Sequence, residues 1–406
     1  MTGPLTGIRV VDCAQWVQGS MIGVLLGDMG ADVIKIEEPK HGDQMRGWVQ
    51  SGFGAQTHQV KRNYPYEVAN RGKKSITLNL KMEKGREIFH ALIKKTDIFV
   101  HNWRGEDIPK KLGADYETLA KINPRLIYSE ASGWGPKGPS ANSPAFEPTA
   151  QARSGMYDLF AELDGPLPVF PGGAGDSVGA IMAVVGIVSS LEARHRLGKG
   201  QKVNTSLLGS ILQMLAFQIG SFGIANEVYP RRSRSKMGNP LYNHYQCADG
   251  KWVTFAMMQP DRYWHNFCVA VGITDLENDP RFENFTIRAK NAIELIRILD
   301  KHFATKPRDE WLKQFEATDV DLIYAPVQTI PEVFQDPQVL ENEYIVDFEH
   351  PEFGAVKTIG VPYTFSETPA EPRRAAPQFG QHTEEILLEI GYSWEDIGKL
   401  RDQEVI

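Results

Sequence analysis

Residues 172–177 read Gly-Gly-Ala-Gly-Asp-Ser and lead into an apolar run that continues to Gly198. Glycines let the backbone bend tightly and approach another group closely. Here they deliver one carboxylate, Asp176, to the first turn of a helix whose apolar residues recur on every side, which predicts burial. The positive end of a helix favours an ionised carboxylate, and burial favours the neutral acid. Held ionised with little water around it, such a group is a competent nucleophile toward an activated acyl carbon. Aspartate is also a good N-cap, and capping is the commoner use of that residue at a helix start. The residues alone leave both readings open.

Other catalytic patterns are missing. The chain has no P-loop, no G-x-S-x-G elbow, no HExxH and no zinc-type spacing, and its ten histidines are scattered, so no metal is expected. Cys13, Cys247 and Cys268 form no CxxC pair, which fits a reduced, cytoplasmic setting. The net charge of -7 argues against nucleic acid as a partner. No continuous run of about 18 apolar residues occurs, so no membrane span is expected. Basic residues gather at Arg71, Lys73, Lys74 and Lys81, and again at Arg104, Lys110 and Lys111. Each group adjoins an expected strand, where phosphates of a nucleotide-like ligand would suit it, although a solvated charged face would look the same. Trp16, Trp48, Trp103, Trp134 and Phe146 fall near expected strand ends, where they could line an acyl or adenine pocket or simply pack.

The elements that must position these residues alternate strand and helix. Strands are expected at Ile8 to Val11, Asp32 to Glu37, Ser75 to Leu80, Asp97 to Val100 and Arg125 to Tyr128. Helices are expected at Met21 to Met29, Gly85 to Lys94 and Tyr116 to Ile122, which implies a parallel sheet covered on both faces. The first strand–helix turn reads WVQGSM, without the glycines a dinucleotide site needs, so Glu37 and Glu38 are not expected to bind a ribose. Asp176 is the expected cap of a helix ending at Gly198, and Leu207 to Phe222 reads as one further apolar helix. A basic, turn-rich stretch at Tyr229 to Lys236 marks a crossing into a smaller domain placed at 226–325, with a hairpin over Tyr245 to Ala256 turning at Asp249-Gly250. Its helices are expected at Arg262 to Val271, Ile287 to Phe303 and Arg308 to Ala317. Residues 1–225 form the first part of the large domain, and 326–406 return to it, ending on a helix over Thr383 to Ile390.

Several long blocks together resemble the class III coenzyme A transferases, the family of formyl-CoA and crotonobetainyl-CoA:carnitine transferases. They are PLTGIRVVD, LLGDMGADVIKIEEPKHGDQMRGW, NRGKKSITLNLK, DIFVHNW, INPRLIYSEASGWGPKGP, EPTAQARSG, GDSVGAIMAVVGIVSSLEARHRLGKGQKV, DPQVLENEYIVDFEHPEFG and FGQHTEEILLEIG. The resemblance spans nearly the whole chain. It implies an α/β fold with a large Rossmann-like domain made from both chain ends, a smaller middle domain, and two subunits threaded as interlocked rings.

It also implies a chemistry. CoA would move from an acyl-CoA donor to a carboxylic acid through a mixed anhydride and an aspartyl-CoA thioester on Asp176, with Glu147 beside it. The CoA-contacting positions fall on Val17, Glu38, Leu78, Lys81, Asn102, Trp103 and Lys111. No tightly bound cofactor is implied, since CoA arrives and leaves as substrate. Formyl-CoA transferases carry glutamine at the position of Val17 and arginine at that of Glu38, and a tetraglycine loop where this chain reads SKMGNPLYNHY. These departures point away from oxalate or formate, toward a bulkier aromatic or branched acceptor such as a benzylsuccinate-like dicarboxylate, with succinyl-CoA as donor. The rival of the same fold, an alpha-methylacyl-CoA racemase, needs a histidine near Phe146-Glu147 that this chain lacks. A subunit of a heteromeric transferase, paired with a paralogue rather than with itself, is the other alternative.

Overall fold

The computed structural model describes residues 3–51, 63–163, 165–372 and 374–406. Trp48 belongs to a 3-10 helix, Gln44–Ser51, but its side chain lies outside the described residues. The chain divides into two compact units. One comprises 1–157, 169–228 and 343–406, and the other 158–168 and 229–342.

The larger unit is built on six strands, β1 (Arg9–Asp12), β2 (Asp32–Glu37), β3 (Lys74–Thr77), β4 (Ile98–His101), β5 (Ile127–Ser132) and β6 (Lys202–Ser206). All pairings are parallel and the order is β3-β2-β1-β4-β5-β6. The inner strands are buried along almost their whole length because both faces are covered, although β1 (RVVD) and β2 (DVIKIE) carry charged residues among their apolar ones. Val11, Ile34, Ile76, Phe99 and Tyr128 face one core, while Val10, Val33, Ile98, Val100 and Ile127 face the other.

The chain's far end completes the first of these cores. Ile386, Leu387, Ile397, Leu400 and Val405 pack into it. The Thr383 hydroxyl accepts from the Thr77 N–H (3.1 Å), and the Asn79 N–H donates to the Val405 carbonyl (2.8 Å). Both chain ends thus make one domain. The last helix is not the expected one: Thr383–Glu389 is followed by Trp394–Asp402, started by a Ser393–Asp396 capping box.

The second core holds the Asp176 helix, Ala174–Leu197, which turns Gly179, Ala180, Ala183, Ile187 and Leu191 inward. The expectation of burial on every side fails here. Ile181, Val185 and Val188 are about half exposed on the opposite face of the isolated chain. By length and composition alone this helix could cross a bilayer, which counting unbroken apolar runs missed. Its small-residue face, however, lies against the sheet. Leu207 to Phe222 is also not one helix but two, Leu207–Met214 and Ala216–Ala225, bent by 75°. The apolar periodicity runs straight through Leu215 and carries no mark of the bend.

In the smaller unit, β7 (Tyr242–Gln246) and β8 (Trp252–Ala256) form the expected antiparallel hairpin, with Gly250 at φ 78° in its turn. A third strand, β9 (Tyr324–Val327), pairs with β8. Helices including Pro260–Val271, Ala292–Phe303 and Arg308–Thr318 cover this sheet around Phe255, Phe267, Phe303 and Trp311.

Candidate active site

In the 3-2-1-4-5-6 order the chain reverses direction across the sheet between β1 and β4, and the crevice beyond those strand ends is where such folds bind ligands. Asn102, just past β4, closes that gap. Its side-chain oxygen accepts from the Gln15 N–H (3.0 Å) and its amide nitrogen donates to the Gln15 carbonyl (2.6 Å). The next residue, Trp16, opens the Trp16–Asp28 helix at φ 61°, a conformation costly for a bulky side chain. Strain of this kind persists only where the surroundings impose it.

Those surroundings are ionic. Lys35 pairs with Asp43 (2.7 Å) and donates to the Ala14 carbonyl (2.8 Å). Lys73 pairs with Asp12 (2.8 Å) and donates to the Ser20 carbonyl (2.7 Å), and Asp12 accepts from the Ala14 N–H (2.8 Å). All four ionic side chains are essentially inaccessible. Lys73 is therefore not a phosphate ligand. Nor are its neighbours free for one, since Arg71 pairs with Asp28 (2.5 Å) and Lys74 with Glu385 (3.0 Å). Lys110 pairs with Glu106 (3.0 Å) within one short helix. Lys81, Arg104 and Lys111 remain exposed, with no carboxylate partner among the described residues.

The other positions divide in the same way. Val17 is half-buried on the first turn of the Trp16 helix, and the Leu78 side chain is in the core, with its N–H donating to the Glu37 carbonyl (2.8 Å). The Glu38 carboxylate accepts from the Lys40 and His41 N–H groups (3.1 and 3.0 Å), closing its own loop. Trp103 stacks on His101 with centroids 4.9 Å apart. Burial pushes His101 down to about 3, so that ring is neutral. Glu37 is fully engaged by Arg46 (2.7 Å to each oxygen), Ser75 (2.6 Å) and the Asp43 N–H (3.0 Å). Glu37 thus has no oxygen left over for a ribose, while Glu38 has one oxygen in its own loop. Among the described residues no cluster suits a metal ion.

The Gly-rich turn resolves the question of Asp176. The N-cap is Gly173, in the left-handed region at φ 101°, and no side chain of the helix caps it. The cap comes from elsewhere in the chain. Glu147, at the head of the Glu147–Arg153 helix and 4% exposed, accepts from the Gly173 and Gly175 N–H groups, each at 2.5 Å. Gln151 donates to the same carboxylate (2.9 Å). A Cβ on residue 175 would come within 3.0 Å of a Glu147 oxygen, so glycine is needed for the approach. Glu147 therefore takes the anion site at the helix start, and Asp176, in the first turn, takes none of it.

Asp176 is half-buried and accepts no hydrogen bond among the described residues. Burial, with the Glu147 charge adding to it, pushes its carboxyl up to about 7. Burial thus prevails over the helix end, whose positive charge Glu147 has already offset. The result is a carboxylate poised near neutrality with both oxygens uncommitted, which suits nucleophilic attack.

Sequence reasoning missed Gln18 and Gly179, which meet where the Trp16 helix crosses the Asp176 helix. The available signal was spacing, because Gly179 follows Asp176 by one helical turn on the same face. Phe146, next to Glu147, is 58% exposed and meets the Trp16 ring edge-on, with centroids 5.6 Å apart.

The profile of CoA-transferase family III matches residues 5–383. The chain belongs to that family. It is similar to the cinnamoyl-CoA:phenyllactate CoA-transferase of Clostridium sporogenes, at 31% identity over 100% of this chain and 98% of that one. The succinyl-CoA:glutarate CoA-transferase of Mus musculus is 31% identical over 95% of this chain and 86% of its own. Among solved structures, a CAIB/BAIF family protein from Brucella suis superposes with a TM-score of 0.84 at 28% identity, covering 96% of this chain and 100% of that one. A family III CoA-transferase uses CoA thioesters as substrates.

The raised pKa of Asp176 has a consequence for stability. The folded chain holds that proton more tightly than the unfolded chain, so between about pH 4 and pH 7 folding retains it and stability falls as pH rises. Asp176→Asn removes the penalty. The variant is expected to melt with the parent near pH 4 and above it at pH 8, followed by circular dichroism. Melting below the parent at pH 8 would show a stabilising, cap-like carboxylate instead.

Proposed function

We propose that the chain moves CoA between two carboxylic acids with Asp176 as nucleophile and Glu147 as the group that holds the nucleophile's helix. The observation that carries this reading is the division of labour between the two carboxylates: one is consumed by backbone N–H groups, and the other is left uncommitted with its pKa pushed up to about 7. Asp176 attacks the thioester carbon, the C–S bond breaks, and the CoA thiolate leaves a mixed anhydride. The thiolate then attacks the aspartyl carbonyl carbon and expels the donor acid, giving an aspartyl-CoA thioester. The acceptor carboxylate attacks that thioester, and the released thiolate takes the acyl group, returning Asp176 free.

For CoA itself we assign Lys81 and Lys111 to phosphates, because both are exposed and have no carboxylate partner among the described residues, together with Val17, Glu38, the Leu78 backbone, Asn102 and Trp103 along the strand ends. The Trp16–Phe146 pair supports an aromatic or branched acceptor, benzylsuccinate-like in size, with succinyl-CoA as donor. The two named relatives act on an aryl acid and on a dicarboxylate respectively. Three free, buried cysteines accord with a cytoplasmic location.

An interlocked dimer, of two copies or of this chain with a paralogue, would cover the apolar surface that the single chain exposes. The Ala216–Ala225 helix has no buried residue, and Phe217 and Ile224 are 91% and 92% exposed.

Asp176→Asn is expected to keep the fold and acyl-CoA binding and to lose CoA transfer by more than about a thousandfold, since an amide forms no anhydride. Substantial transfer by that variant, with deamidation excluded by mass, contradicts the mechanism. A panel of acids should favour aryl and branched acceptors, and turnover confined to one- or two-carbon acids would overturn that assignment. In sedimentation the protein should stay dimeric on dilution, burying more than the roughly 1,600 Å² of a standard interface. A stable, active monomer would refute the interlock.

A further inference from the structure

Gln18 is 6% exposed, yet among the described residues its side-chain nitrogen has no hydrogen-bond partner. Leaving a buried donor unmade is costly, and such groups call for an explanation. This one is aimed at the Asp176 helix. The Gln18 nitrogen, Cδ and Cγ lie 2.7, 3.2 and 3.1 Å from where a Cβ on residue 179 would stand. Side chains one helical turn apart are neighbours, and a helical Cβ points back toward the N-terminus. The unpaired N–H therefore sits over the turn that carries Asp176. Two incomplete groups thus share one stretch of the helix: among the described residues, a buried donor without an acceptor and, one turn away, a carboxylate without a donor.

We propose that Gln18 donates to the aspartyl carbonyl oxygen of Asp176 during transfer. The inference rests on Asp176 being the nucleophile. When the CoA sulfur attacks the aspartyl carbonyl carbon of the anhydride, a C–S bond forms and the carbonyl π pair moves onto oxygen. That oxyanion accepts the Gln18 N–H. Its collapse restores the carbonyl, breaks the C–O bond to the acyl group, and releases the donor carboxylate. No proton passes to or from Gln18. The same contact serves when the acceptor acid attacks the aspartyl thioester. A donor with no prior partner gives up no hydrogen bond to make this one, which is what fixed transition-state stabilisation requires. Gly179 has a part as well, because any side chain at that position would push the amide away.

The test uses the full-length protein with one acyl-CoA and acid pair that the parent turns over. Gln18→Leu, close in volume but without a donor, should lower kcat by about 10²-fold, leave the acyl-CoA KM within about twofold and hold or raise the melting temperature. Gln18→Asn, which keeps an amide, should recover part of the loss. Gly179→Ala displaces the same amide by an independent route and should show the same kcat defect. A kcat within twofold of the parent in both Gln18→Leu and Gly179→Ala overturns the proposal. So does a loss in Gln18→Leu that appears wholly in KM or tracks lowered stability, since that describes packing. Should the parent itself transfer CoA without labelling Asp176, the nucleophile assignment fails first, independently of Gln18.

Discussion

The hydrogen bonds from Gly173 and Gly175 to Glu147 are the contact on which the site depends. A helix start presents unsatisfied N–H groups and a positive field, and some acceptor must meet them. Had Asp176 met them, its oxygens would be occupied and its pKa pulled down. Because Glu147 arrives from another helix and is itself held by Gln151, the start of the helix is satisfied and Asp176 stands beside a like charge in partly dry surroundings. The glycines follow from this. Gly173 provides the left-handed turn and Gly175 the space for a carboxylate against the backbone.

A second constraint places the opposing wall. The β1 exit must carry Trp16 in an unfavourable backbone conformation and set Gln18 against the Asp176 helix. The buried Lys35–Asp43 and Lys73–Asp12 pairs and the Asn102–Gln15 bridge hold that exit on three sides. Buried ion pairs add little net stability against an apolar replacement, but losing one partner leaves an uncompensated charge in the core. Their effect here is to fix one conformation of a turn. Asn102 is spent on this bridge, so a ligand at that place meets its backbone and the neighbouring Trp103 more readily than its amide.

The sheet was readable because its strands centre on short β-branched or aromatic clusters, as in β1, β2 and β4, and the connecting helices have a clear period. The hairpin turned at Gly250 as Asp-Gly suggests. Asp176 stood out through its glycines, but the reason for them did not, because Glu147 lies far away in sequence and carries no local capping signal. The same long-range blindness made Arg71, Lys73 and Lys74 resemble a phosphate cradle, when their partners are Asp28, Asp12 and Glu385. Gln18 was invisible for the same cause: its meaning depends on a crossing between two helices that periodicity does not locate.

In the proposed mechanism one of two adjacent carboxylates is committed to structure and the other to chemistry. Peptide mapping of protein quenched during turnover with acyl-CoA, after trapping with hydroxylamine, tests this most directly. A hydroxamate confined to the peptide and side chain of Asp176 is the predicted result. Label on Glu147, or steady turnover with no carboxylate labelled, would contradict it.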